Sequence, residues 1–181
     1  MTRRILITSL ALTAMASAVE AHTGAGTAGF AHPFTGLDHV LVMVAVGLIA
    51  AQCGGRALWL VPGTFLAMMT AGGAVGMTGL NLPFVEIAIA VSVVAMVVAV
   101  ALRGILPISM VVALAGVFAV FHGLAHGTEM PTDASGLGYA LGFIAATAAL
   151  HAIGIGLGTL SVKRSSVDRM ENDPRQPQAI G

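Results

Sequence analysis

Charge is scarce in this chain. Asp, Glu, Lys and Arg make up 9% of its 181 residues, against roughly a quarter in ordinary globular domains. With 57% hydrophobic residues and a mean hydropathy of +0.94, the composition excludes a soluble globular domain. The net charge is zero and no basic block occurs, which argues against nucleic acid as a partner. The single cysteine, Cys53, excludes an intramolecular disulfide and any multi-cysteine metal or iron–sulfur site. A lone Cys in an apolar helix reads as a small hydrophobe. A phosphate-binding Gly-x-x-x-x-Gly-Lys-Ser/Thr loop is missing, so the chain cannot drive work by nucleotide hydrolysis alone. His-Glu-x-x-His is missing as well.

Long apolar runs are abundant. Residues 1–21 read as a cleavable secretory signal peptide: Arg3 and Arg4, an apolar stretch from Ile5 to Ala18, and the small-residue exit Val19-Glu20-Ala21. Cleavage after Ala21 would make His22 the mature amino terminus, able to chelate through its amine and ring; an uncleaved anchor is the alternative. A flexible Gly/Ala/Thr stretch is expected over 22–31. Five apolar segments follow near 35–53, 57–79, 84–102, 105–126 and 137–160. Only helices or closed barrels satisfy every backbone group in lipid, and runs this long fit helices. The expectation is an all-α membrane protein: a bundle of about five transmembrane helices over 22–160, then a solvated, disordered tail over 161–181.

The positive charges orient it. With the signal's amino end in the cytoplasm, the cytoplasmic segments hold Arg3, Arg4, Arg56, Arg103, Lys163, Arg164, Arg169 and Arg175, which is every Lys and Arg in the chain. The mature amino end then faces outward and the carboxyl end inward. Gly72-x-x-x-Gly76, Gly138-x-x-x-Gly142 and Gly154-x-x-x-Gly158 are spaced for close helix approach, and Pro62 should kink the second span.

Four of the six histidines fall in two clusters, His32-Pro33-Phe34-Thr35-Gly36-Leu37-Asp38-His39 and Phe121-His122-Gly123-Leu124-Ala125-His126-Gly127-Thr128-Glu129. Imidazole with carboxylate is a ligand set that divalent first-row metals favour. The topology brings His32, Asp38, His39, Glu86, His122, His126 and Glu129 to one membrane face. His122 and His126, at i and i+4, can chelate one ion from one helix, and Glu129 lies within about 60° of them. His32 and His39 share a face if the helix starts at Pro33. Asp38 points about 100° away from His39, as an acid orienting an imidazole of another helix would. His151, roughly 21 Å into the last helix, is either a packing histidine or a relay.

Both clusters resemble the signatures of the HupE/UreJ nickel permeases. His32-x5-Asp38-His39 is similar to the first, and Phe121 through Glu129 to the second, Phe-His-Gly-x-Ala-His-Gly-x-Glu. Leu124 stands where some relatives carry a further His. The resemblance implies a bacterial inner-membrane protein importing Ni²⁺, or Co²⁺, for hydrogenase or urease maturation. It implies that His32, Asp38, His39, His122, His126 and Glu129 serve transport, with Glu86 as an intramembrane acid, and that the metal is cargo with no prosthetic group. Uptake should then fall as pH drops through the imidazole range near 6.5, because ligands bind deprotonated. The residues alone leave three other readings: a membrane-embedded zinc hydrolase, a bis-histidine haem protein, and a sensor that binds metal without moving it. Oligomeric state is not legible.

Overall fold

The computed structural model describes residues 25–80, 82–102, 105–130 and 136–171. The expected signal peptide, His22, Arg103, Asp133 and the tail beyond 171 lie outside the described residues. Within them are six α-helices and one 3₁₀ turn, with no strand: α1 (Ala25–Ala31), the turn His32–Phe34, α2 (Leu37–Cys53), α3 (Ala57–Gly76), α4 (Val85–Ala101), α5 (Ile108–Thr128) and α6 (Gly136–Glu171). The five apolar runs each become one long helix. Their interruptions fall where the chain leaves helical geometry. Gly54 and Gly55, at φ 66° and 52°, make the left-handed turn after α2. Pro107, extended at ψ 144°, sets the start of α5. Pro62 lies inside α3 without ending it.

Three helices, Ala57–Gly76, Ile108–Thr128 and Gly136–Arg164, are long and apolar enough to cross a membrane. α2 and α4 have 17 residues each, or about 26 Å, just short of a roughly 30 Å hydrocarbon core. Large apolar side chains turn outward all round the bundle, among them Trp59, Ile87, Val94 and Val117. That is the surface a bilayer accepts and water does not.

Three sequence expectations change. The stretch before the first cluster is helical: α1 packs on α6, where a Cβ added at Gly29 or Gly142 would collide with the carbonyls of Tyr139 and Gly26. Backbone approach through small residues overrides the weak helix propensity of glycine there. The condition for His32 and His39 to share a face, a helix starting at Pro33, is not met either. Pro33 sits in the 3₁₀ turn, Gly36 is extended at φ −108° and ψ 123°, and the axis bends by 85° between Gly26–Phe34 and Leu37–Cys53. Finally, residues 161–171, expected to begin a disordered tail, continue α6. A helix already nucleated adds residues cheaply, and none from 161 to 171 is Gly or Pro.

Helix pairing follows the glycines. A Cβ on Gly72 would strike the Val120 carbonyl, and one on Gly76 the Leu124 carbonyl. These contacts ascend together, so α3 and α5 run parallel. Gly154 against Val44 and Gly158 against Leu48 place α2 parallel to α6 in the same way. α4 closes the bundle, with Val85 and Ile89 packed on Leu124 and Ala125. The starts of α2, α4 and α6 therefore share one end of the bundle with the finish of α5.

Candidate metal centre

Five ligand-bearing side chains meet at that end. His32 comes from the 3₁₀ turn, His39 from the first turn of α2, and His122 and His126 from the last two turns of α5, which Glu129 caps. They form two three-residue groups, each with one ligand atom per residue and all such atoms within 4.8 Å of one another. The outer group is His32, His126 and Glu129; the inner is His39, His122 and His126. His126 belongs to both. Its ring centroid lies 4.9 Å from that of His32 and 4.3 Å from that of His39, while His39 and His122 are 4.9 Å apart. Metal–nitrogen bonds are about 2.1 Å, so each group needs only a small side-chain closure to grip one ion.

Electrostatics differ between the two. The outer group carries a carboxylate: Glu129 Oε2 lies 3.4 Å from His32 Nε2 and 3.8 Å from His126 Nδ1, and Glu129 is half exposed. The inner group is all imidazole and more enclosed, with His122 at 0% and His126 at 5% exposure and His39 partly buried. Such a site suits a cation that has already shed water, and charge behind it offsets part of the desolvation cost.

Two neighbours set which ring nitrogens are free. Asp38 Oδ1 accepts from His39 Nδ1 at 3.1 Å, leaving His39 Nε2 buried without a partner. Ser92 Oγ donates to the Ile89 carbonyl at 2.6 Å, so its bond with His122 Nε2 at 3.0 Å is one it accepts. His122 Nδ1 is then the nitrogen with the open lone pair, and it too has no partner. Partners of this kind fix tautomer and orientation at metal-binding histidines. Phe143 lies tilted against His126 with ring centroids 4.1 Å apart, and Tyr139 flanks His32 at 5.9 Å.

The expected residues thus separate into three roles. His32, His39, His122, His126 and Glu129 are brought together. His122, His126 and Glu129 do not form one group as their shared helix face implied, because partners from two other elements divide them around His126. Asp38 stands outside both groups; it holds the histidine next to it, where the sequence reading gave it one on another helix. Glu86 is exposed in the first turn of α4, at the same end of the bundle but in neither group. Ser92 was missed. Its only signal is being a lone hydroxyl in the apolar run 85–101, and nothing local says which helix it faces. The haem reading loses support from the geometry: the His39 ring sits against His122 and His126 with no gap for a macrocycle between axial ligands.

The profile of the HupE / UreJ protein family matches residues 10–171. Protein HupE of Rhizobium leguminosarum bv. viciae is 46% identical over 159 residues, covering 86% of this chain and 83% of that protein. No solved structure gives a significant match.

Proposed function

The chain belongs to the HupE / UreJ family, and from that premise we propose that it is a secondary permease importing a divalent transition metal, Ni²⁺ first and Co²⁺ second. The observation that carries this is the pair of three-donor groups sharing His126 at one end of an apolar helical bundle. A static binding site needs one such group. Two that share a ligand make a relay, because an ion leaving the outer group keeps His126 while exchanging His32 and Glu129 for His39 and His122.

In this reading the cluster faces the periplasm of a bacterial inner membrane. Every Lys and Arg falls on segments assigned to the opposite side. The alternation of helix directions supports that assignment, with α2 and α4 read as the two shorter spans in a set of five. Glu86 and Glu129 draw a hydrated dication to the mouth. Glu129 and His32 displace its first waters, and the buried imidazoles replace more. Asp38, behind His39, supplies charge that the inner group lacks. Nickel reaching the cytoplasm would serve hydrogenase or urease maturation.

The test is radiolabelled nickel accumulation in cells lacking other nickel importers, comparing wild type with His39→Ala and His126→Ala, and with Co²⁺ and Zn²⁺ as competitors. Uptake lost in both variants, at normal membrane insertion, supports the permease. A correctly inserted wild type that accumulates no nickel overturns it in favour of a sensor or a zinc hydrolase.

A further inference from the structure

His151 sits in the interior of α6 at 2% exposure, and neither ring nitrogen has a hydrogen-bond partner among the described residues. Two buried hydroxyls nearer the shared end are satisfied. Ser92 bonds Ile89 and His122, and Thr147, one turn before His151 on the same face of α6, donates to Met69 Sδ at 3.9 Å. Unpartnered buried nitrogens among the described residues all belong to histidines: His39 Nε2, His122 Nδ1, and both nitrogens of His126 and His151. The first three rings form the inner donor group. His151 shares their signature without sharing their place.

Leaving an imidazole unpaired in an apolar interior costs free energy that a leucine would not. A histidine kept for packing would be expected to bond a neighbouring helix, and this one does not. His151 is about 22 Å along α6 from Gly136, and His122 only about 9 Å from the end of α5, so His151 lies deeper from the shared end. Phe65 of α3 bridges the two, its ring 6.0 Å from His122 and 5.2 Å from His151, meeting the latter edge to face. An ion leaving the inner group on its way through the bundle would find His151 to be the next buried nitrogen donor among the described residues. Intramembrane ionisable residues in such positions mark permeation routes.

We propose that His151 is a third metal station, ligating the transported ion through an open ring nitrogen after it leaves His39, His122 and His126, with the Thr147 hydroxyl one turn away on the same helix face. This rests on the permease reading. The proposal separates it from capture: His151 should govern passage and leave first binding alone.

The experiment uses the full-length protein carrying Cys53→Ser, which removes its one thiol, so that His151→Cys introduces a single thiol at the proposed station. In purified, folded protein, Co²⁺ or Ni²⁺ should then produce a thiolate-to-metal charge-transfer band that the Cys53→Ser parent lacks. In cells, His151→Leu should lower the maximal rate of nickel uptake on the order of 10-fold, with KM unchanged, and His151→Cys should recover more of that rate than His151→Gln. A packing role would move stability in place of this rate split and would not favour the thiol. A wild-type rate in His151→Leu overturns the proposal. So does a His151→Cys protein that binds Ni²⁺ through the outer and inner groups yet shows no thiolate band. Should His151→Leu fail to insert, the spectroscopic arm decides by itself. Should wild type import no nickel, the permease reading fails, while the band still reports whether an ion reaches position 151.

Discussion

Ser92 and His122 stand 30 residues apart in the chain and 3.0 Å apart in the fold, and the hydroxyl's own proton is committed to the Ile89 carbonyl. The serine therefore accepts from His122 Nε2 and presents Nδ1 to the inner group. Ser92→Ala should weaken metal binding by roughly 10-fold, the lower end for losing a partner of a ligating histidine. Ser92→Thr should hold close to wild type. Equilibrium dialysis of Ni²⁺ against the purified variants measures it, and an unchanged affinity in Ser92→Ala would remove the tautomer argument.

His126 is shared between both donor groups, whereas His32 and Glu129 serve one. His126→Ala should abolish nickel uptake. His32→Ala and Glu129→Gln leave the buried imidazoles intact and should raise KM while sparing part of the maximal rate. Rates across a nickel concentration series, normalised to inserted protein, distinguish these outcomes. Equal loss in all three variants would mean that the groups act as one site.

The parallel contact of α3 and α5 depends on missing side chains. A Cβ at Gly123 would run into the Met69 carbonyl, whereas one at Gly63 meets nothing within 4 Å. Gly123→Ala should destabilise the protein by about 1–3 kcal/mol through overpacking and pull His122 and His126 out of register with α2. Gly63→Ala on the outer face should leave stability unchanged or slightly raised. Thermal unfolding of both variants in detergent checks the pair.

An ion bound to the folded bundle alone stabilises it. At a hundredfold excess over its dissociation constant the gain is about 2.7 kcal/mol. Adding Ni²⁺ should therefore raise the Tm of wild type, chelator should reverse the shift, and His126→Ala should show none. Asp38→Ala should show a smaller shift than wild type, because His39 loses the carboxylate that orients it.

Much of this molecule follows from the chain alone. The five apolar runs and the breaks between them determine where helices form and stop, because lipid leaves the backbone no other way to satisfy itself. The clustering of His32 and His39, and of His122, His126 and Glu129, is local and visible at once. So is the end of the bundle they share, given helices that alternate in direction.

Other features depend on side chains meeting across helices, which spacing within one helix does not encode. The 3₁₀ turn at His32–Phe34 and the 85° bend after it separate His32 from the face of His39. The division of the donors around His126, the hydroxyl of Ser92 behind His122 and the choice of His39 as the partner of Asp38 are set by how closely α2, α4 and α5 approach. The sequence by itself determined the helices and the inventory of candidate donors. Only the tertiary structure decided that the ligands form two linked groups with a further unpaired histidine beneath them, because glycine-mediated backbone contact sets the distances between helices and those distances decide which lone pairs face one another.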